Sequence, residues 1–207
     1  AGSTAPIVTG AVTSAATGNL TVNTTATLAS TIASVGPANI GTLTITNVGT
    51  GGLTFSGAVG AGGTPLTSVV FAGPISSTGT VTFAGGLFAT GMTVNAGVGN
   101  YGIALNGGGT VTNAVTFSNA GALTIGAGFA FTGGATASVP SSKSIAGTIS
   151  AAGAGVLDFG TSGTTVTASA TLGGAGTGQI TLAATSLASG ATLTLGAGST
   201  APIVTGA

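Results

Sequence analysis

Charged residues are almost missing from this 207-residue chain. Lys143 is its one basic residue and Asp158 its one acidic residue, and histidine, cysteine and tryptophan do not occur. About a quarter of the residues of an average soluble domain are charged. Without a basic cluster nothing neutralises the phosphates of a nucleic acid, so we predict no nucleic-acid partner. Near-zero net charge also removes the electrostatic barrier to self-association, so the expected partners are other copies of the chain.

The same shortages exclude most catalytic and metal-binding chemistry. Paired-carboxylate catalysis needs two acids, and a serine or cysteine triad needs a histidine or an equivalent base. The glycine-rich stretch GGAGTGQI (173–180) has no acidic residue near it to bind Ca²⁺. The stretch GVGNYG (97–102) matches a dinucleotide pattern, but no acidic residue follows about twenty positions later to bind a ribose. We therefore predict a protein that is not an enzyme, with no catalytic residue, cofactor or metal.

Long apolar runs are missing as well. No run approaches the roughly 18 residues that a membrane-spanning helix needs, so we predict no transmembrane segment. The chain opens without methionine and without a basic-then-apolar leader, which leads us to expect a processed or excised segment.

What the chain does have is a recurring phrase in which a small residue precedes alternating apolar residues and threonine. Alternation with a period of two is the pattern of β-strands, and frequent glycine and β-branched residues disfavour helix. One long alternation predicts that Leu123, Ile125, Ala127, Phe129 and Phe131 face one core. A second places Leu20, Val22, Thr24, Ala26 and Leu28 on one face. The phrases are GNLTV (18–22), GTLTI (41–45), GGLTF (51–55), GTVTF (79–83), GMTV (91–94), GALTI (121–125), GQITL (178–182) and ATLTL (191–195).

Many short strands separated by turns fit a sandwich, a barrel or a solenoid. Small side chains suit closely stacked rungs, and the composition does not change along the chain, so the solenoid is favoured. The chain also begins and ends with the same eleven letters, AGSTAPIVTGA, offset by 196 residues (197 − 1). We predict that residues 1–196 are one period of a tandem β-solenoid repeat and that residues 197–207 start the next identical one. At this repeat joint, Pro6 and Pro202 should lie at matching corners, and Ile203 should continue the core column that Ile7 begins.

Phrases such as GALTIGAGFAFTGGATA (121–137) and the text of residues 163–199 resemble the Gly-, Thr- and Asn-rich repeats of bacterial autotransporter passengers and filamentous-haemagglutinin-like adhesins. The resemblance implies an all-β, right-handed parallel β-solenoid, for which we expect about nine or ten rungs and essentially no α-helix. It also implies an extracellular or cell-surface location. This chain has far fewer charges than such passengers, which favours a rod packed against copies of itself.

The leading functional prediction is a structural repeat unit of an extracellular or cell-surface fibre, sheath or adhesin stalk. The alternative is a solenoid that binds ice or a carbohydrate surface through outward threonines, although the surface glycan or host ligand that an adhesin would bind cannot be named. Ice binding would need threonines once per rung in register, and the uneven spacing of TVT (80–82), TVT (110–112) and TVT (165–167) argues against it.

Single polar residues give the remaining candidate sites. Lys143 lies in a turn-like PSSKS stretch and Asp158 between two apolar residues. The two either form an ion pair, across neighbouring rungs or between molecules, or, as the favoured interpretation, are solvated separately. Asn19 in NLT and Asn23 in NTT fit the pattern of glycan acceptors.

Overall fold

The computed structural model describes residues 2–36, 40–160, 162–196 and 200–205. These residues form a parallel β-solenoid without a helix, which confirms the predicted fold class. The chain makes about eight turns, slightly fewer than the nine or ten rungs expected. The irregular phrase spacing had left the rung count approximate.

The strands are, in chain order, β1 Val8–Val12, β2 Gly18–Thr24, β3 Ser30–Val35, β4 Ile40–Val48, β5 Leu53–Phe55, β6 Leu66–Phe71, β7 Thr80–Phe83, β8 Leu87–Val94, β9 Gly102–Leu105, β10 Gly109–Val111, β11 Val115–Thr116, β12 Leu123–Ile125, β13 Phe129–Phe131, β14 Ala135–Thr136, β15 Lys143–Ser150, β16 Leu157–Phe159, β17 Thr164–Gly173, β18 Ile180–Leu182, β19 Thr185–Leu187, β20 Leu193–Leu195 and β21 Ile203–Thr205.

Each turn of the solenoid passes through three faces, on which strands of successive turns pair in parallel. The first face contains β1, β3, β5, β7, β9, β12, the first halves of β15 and β17, and β19. The second face contains the first half of β8, β10, β13, the second halves of β15 and β17, and β20. The third face contains β2, β4, β6, the second half of β8, β11, β14, β16, β18 and β21, and the Val94–Phe117 bridge connects its two parts.

The core lies between the three faces. Leu123, Ile125, Phe129 and Phe131 are each no more than 1% exposed, as predicted. They do not belong to one long strand, however. A corner at residues 126–128 separates β12 on the first face from β13 on the second, and Ala127 in this corner is half-buried. Both strands face the same core, so the alternation of inward and outward side chains continues across the corner.

The second predicted alternation holds only in part. Val22, Thr24 and Ala26 are buried, but Leu28 is 67% exposed. The strand β2 ends at Thr24, and the chain then turns toward β3. Because a turn changes the direction of the side chains, a period of two no longer predicts which residues are buried beyond it.

Uneven sequence spacing does not disturb the stacking of rungs. On the first face, Leu53 pairs with Val81 after 28 residues, whereas Leu123 pairs with Lys143 after 20. The strand segments of this face keep their register, so the corners between faces absorb the difference in length. On the third face, β2 and β4 pair with two register shifts. This is why the spacing of phrases in the sequence was a poor guide to the number of turns.

Glycine residues allow the backbones of adjacent rungs to come into direct contact. Gly109 has a φ of +136°, and a Cβ atom on it would lie 2.0 Å from the carbonyl oxygen of Leu87 in the adjacent rung. Gly49 has a φ of +61°, and its Cβ would lie 2.1 Å from the carbonyl oxygen of Ala26. Any larger residue at either position would push two rungs apart and strain the backbone.

Aromatic side chains fill the middle of the core. The rings of Phe55 and Phe83, which pair in register on the first face, stack with centroids 5.0 Å apart and planes 10° apart. The rings of Phe129 and Phe131 lie 4.6 Å apart. Such contacts add to the stabilisation that comes from burying apolar area.

We expect Phe129→Ala to lower the free energy of unfolding by about 3–5 kcal/mol, because it leaves a cavity in a closed core. Urea denaturation followed by circular dichroism measures the change. The matched control is Val98→Ala, since Val98 is 76% exposed. The control should stay within about 0.5 kcal/mol of the wild type. Equal effects of the two substitutions would contradict the assignment of Phe129 to the core.

Candidate functional site

The one basic side chain of the protein lies inside the solenoid. Lys143 is 1% exposed, and it occupies an inward column of the first face between Leu123 and Thr164. Both earlier interpretations of this residue, a turn position and a solvated charge, are therefore wrong. Composition identified PSSKS as a turn, but β15 begins at the lysine itself and directs its side chain inward.

Ser162 is the hydrogen-bond partner of the buried lysine. The Nζ of Lys143 donates to Ser162 Oγ, and that hydroxyl in turn donates to the backbone oxygen of Pro140. Ser162 is half-buried at the corner that precedes β17, so its side chain lies between the lysine and the outside of the rod. Nothing in the sequence indicated this serine, because it is one of many and lies 19 residues from the lysine.

Burial lowers the pKa of Lys143 below its ordinary value of 10.5, and the more distant charge of Asp158 opposes this shift only in part. A charged ammonium group in an apolar interior loses its hydration, so the neutral amine is favoured. A neutral lysine has a free lone pair and accepts a proton, which is the property that makes buried lysines useful as bases.

A second buried hydroxyl lies next to this pair. Thr164 is 1% exposed, and its Oγ1 has no hydrogen-bond partner among the described residues. It borders an open groove of about 400 Å³ formed by three successive rungs at residues 141–142, 163–165 and 184–186. A buried hydroxyl without a partner costs about 1–3 kcal/mol.

Asp158 lies away from Lys143. It occupies the outward column of the third face, between Thr136 and Thr181, and its Oδ1 accepts a hydrogen bond of 2.9 Å from the backbone nitrogen of Gly160. The two charged residues therefore have different hydrogen-bond partners. The candidate ion pair is not formed in this structure, and Asp158 contributes to the lysine only through longer-range attraction.

Outward hydroxyl groups predominate in one column of the first face. Seven of its nine positions are threonine or serine, and neighbouring positions pair directly across the rungs. Adjacent rungs of a sheet are about 4.8 Å apart. We call this set the hydroxyl column. Its members are Val8, Thr31, Thr54, Thr82, Ala104, Thr124, Ser144, Thr165 and Ser186.

This register corrects an expectation from the sequence. The uneven spacing of the threonine phrases suggested that they could not align, yet Thr54 and Thr82 pair directly although 28 residues separate them. The third face has a comparable column in which Thr116, Thr136 and Thr181 occur, but it also contains Asp158. The hydroxyl column of the first face is free of charge along its whole length.

The strands that follow Pro6 and Pro202 in the two copies of the terminal sequence lie on different faces. Ile7 lies on the first face, where its backbone nitrogen donates to Ser30 Oγ at 3.0 Å. Ile203 lies on the third face and pairs with Ile180. The expected shared column of Ile7 and Ile203 is therefore wrong, and Pro6 and Pro202 precede strands on different faces. The chain covers eight turns and two further faces between them, so the repeat length does not match a whole number of turns.

The proposed joint otherwise falls partly outside the described residues, since positions 1, 197–199, 206 and 207 are not described. The tandem arrangement therefore stays a prediction. The glycan acceptors also stay predictions. Asn19 is exposed at the edge strand β2, where its Oδ1 accepts a hydrogen bond of 3.1 Å from the Thr42 nitrogen, and Asn23 is half-buried.

Comparison of the chain with protein-family models, with curated proteins and with solved structures gives no match. The resemblance to bacterial surface proteins is therefore neither supported nor contradicted. Among the residues that the structure describes, no helix is long and apolar enough to cross a membrane.

The buried lysine predicts a specific pH dependence of stability. At a pH between the lowered pKa of Lys143 in the fold and 10.5, its ordinary value, the unfolded chain binds a proton that the folded chain does not. The free energy of unfolding should therefore rise with pH in this window, by at most about 1.4 kcal/mol per pH unit. Below the lowered pKa, both states bind the proton and this contribution is constant.

Urea denaturation at several pH values from about 7 to about 9.5 tests this, since the range stays below the ordinary tyrosine pKa. Lys143→Met is the control, because methionine fills similar space without a titrating group. Its stability should not change over the same range. If wild type and Lys143→Met show the same slope, the buried lysine is not responsible for it.

Proposed function

We propose that the chain is a structural repeat unit of an extracellular or cell-surface fibre, sheath or adhesin stalk, and that it self-associates through stacking of β-rungs and lateral packing. Its work is mechanical, and its partner is another copy of the same solenoid. The extracellular or cell-surface location is part of the proposal and follows from the resemblance described above.

The observation that carries the proposal is the parallel ladder, through which each turn pairs with the next on three faces and which further rungs can continue. Among the described residues, β1, β19, β20 and β21 pair along one edge, whereas the outer edge of β2 also bonds to Ser3. Unpaired strand edges are templates for the addition of further strands. Apolar residues accompany them, since Leu187 is 50% exposed, Val204 42% and Val8 78%.

The sides of the rod support lateral packing. The hydroxyl column carries no charge from Val8 to Ser186, and the positions that flank it, such as Ala84, Gly126 and Ala146, are small. A flat, uncharged surface of this length lacks the charges and bulges by which natural sheet proteins avoid association. Two such faces approach closely without burying an unpaired charge.

Lysine on an edge strand should block end-to-end stacking. We expect Val204→Lys, which places a charge on β21, to weaken self-association by about tenfold or more, equivalent to about 1.4 kcal/mol. Sedimentation velocity over a range of concentrations, with electron microscopy of the concentrated sample, measures the change.

The matched control is Val98→Lys, which adds the same charge at a residue that is 76% exposed on a corner of a middle turn. This variant should assemble through its ends like the wild type. A wild-type chain that remains monomeric at high concentration in low salt would remove self-association from the proposal.

The hydroxyl column favours a second candidate function, which is binding to an ordered, hydroxyl-matching surface such as ice or a crystalline carbohydrate. Its hydroxyl groups recur once per rung on five threonines and two serines. A regular array of hydroxyl groups on a rigid scaffold is the geometry that binding to a crystalline ligand requires. Ala104 interrupts the array in its middle, which limits an unbroken match to the rungs on either side.

Thermal hysteresis of the purified chain tests the ice-binding form of this candidate. If ice binding occurs, Thr124→Tyr should abolish it, because a bulky ring in the hydroxyl column prevents flat contact. Asn113→Tyr adds the same ring at an exposed corner position and should have no effect. An absence of hysteresis in the wild type removes ice as the ligand, and a pull-down on crystalline polysaccharide then tests the carbohydrate form.

A further inference from the structure

The hydrogen-bonded pair of Lys143 and Ser162 has the arrangement of a base and a nucleophile. The sequence argued against serine chemistry because no histidine is present to act as base. The structure supplies a different base, since the Lys143 amine lies within hydrogen-bond distance of the Ser162 hydroxyl. Serine–lysine pairs perform the same proton transfer as serine–histidine pairs.

We propose that Ser162 is an acyl-accepting nucleophile and that Lys143 is its general base, acting on small uncharged carboxylic esters that enter the neighbouring groove. This inference is independent of the fibre proposal, because it concerns a side chain cluster on one corner and no contact between copies.

The surroundings of the pair support the roles of its members. Lys143 is enclosed by the core, where its neighbours in the column are Leu123 and Thr164. Water cannot compete there for the amine lone pair, whereas Ser162 lies half-buried at the corner and is closer to the outside. Burial favours the neutral amine, which is the form that accepts a proton.

The groove supplies a place for the ester. Its lining includes Ser142, which precedes Lys143 in the chain, and Gly163, which follows Ser162. Its lining is formed by small and hydroxyl-bearing residues without a formal charge, which suits an uncharged polar molecule. Thr164 also lines the groove, but its Oγ1 is buried on the core side, so the hydroxyl groups that face the ester belong to other residues of the lining.

The reaction balances with water as the second substrate. The Ser162 hydroxyl, which donates to the Pro140 oxygen in this structure, first turns its proton toward the neutral Lys143 amine. Ser162 Oγ then forms a bond to the ester carbonyl carbon while that proton passes to the amine. The carbon–oxygen bond to the alcohol breaks, and the leaving alcohol takes the proton from the lysine. Water then attacks the acyl-serine and gives its proton to the lysine, which returns it to Ser162 Oγ as the carboxylic acid leaves.

A small fluorophosphonate tests the nucleophile on the intact wild-type chain. Ser162 should form a phosphorus–oxygen bond with loss of fluoride, and mass spectrometry of a peptic digest should locate the added mass on residue 162. Ser162→Ala should remove the labelling. Because the label is located on the wild type, the test does not depend on the stability of a variant.

Lys143→Met tests the base. It should slow labelling by about a hundredfold or more, the usual contribution of a general base. The wild-type rate should rise with pH as the lysine loses its proton, and the rate of Lys143→Met should not follow this profile. The other titratable side chains are Asp158, on another face, and Tyr101, which is buried and hydrogen-bonded to the Asn95 backbone oxygen.

The matched control is Ser56→Ala, which removes an exposed hydroxyl that bonds to the Ala33 backbone oxygen on a distant turn. It should label like the wild type, and each variant should keep the circular dichroism spectrum of the solenoid. The proposal is overturned if the folded wild type is not labelled, if the label is on another serine or threonine, or if Lys143→Met reacts as fast as the wild type.

Discussion

The parallel backbone ladder between successive turns is the interaction on which the rest of this structure depends. Each strand segment on a face is bonded to the equivalent segment of the turn before it, so any side chain that enlarges one corner separates two whole rungs. This constraint explains the 41 glycines and the abundance of alanine, serine and threonine. It also explains why the core is built from alternate aliphatic and aromatic positions of very short strands. With so few charges, stability comes from stacked apolar columns and from backbone hydrogen bonds, and surface ion pairs contribute little.

The sequence was sufficient for the class of fold because a period of two and a lack of helix formers are local properties. It also identified the core at Leu123, Ile125, Phe129 and Phe131. The alternation did not reveal that these residues are divided between two faces. The corner at residues 126–128 is three residues long, so odd-numbered residues point inward both before and after it. The register of the hydroxyl column was hidden for a related reason. Turns of different sequence length still align equivalent residues once the chain is folded, as the direct pairing of Thr54 with Thr82 shows.

The candidate site was beyond the reach of sequence reasoning. Lys143 and Ser162 come together because they lie at the same corner of consecutive turns, and the composition of PSSKS favours a turn with an exposed charge. Burial of that charge is a property of the stack, since the inward column already contains Leu123 one turn earlier. The unpartnered hydroxyl of Thr164 continues the column on the next turn, so this column has two successive polar residues after Leu123. A single chain position, one rung above a leucine, thereby places a titratable side chain in the core.

The placement of Ile7 and Ile203 on different faces has a consequence for any longer rod. The interval between them ends one face short of a complete ninth turn. If identical copies follow one another in a single chain with this geometry, each copy is rotated by a third of a revolution relative to its predecessor. Three copies then restore the original orientation, and the assembly acquires a screw axis. A patch that a single copy shows on one side, such as the hydroxyl column or the groove beside Ser162, would then face three directions in turn along the rod. Neighbouring rods would contact this patch once every three copies.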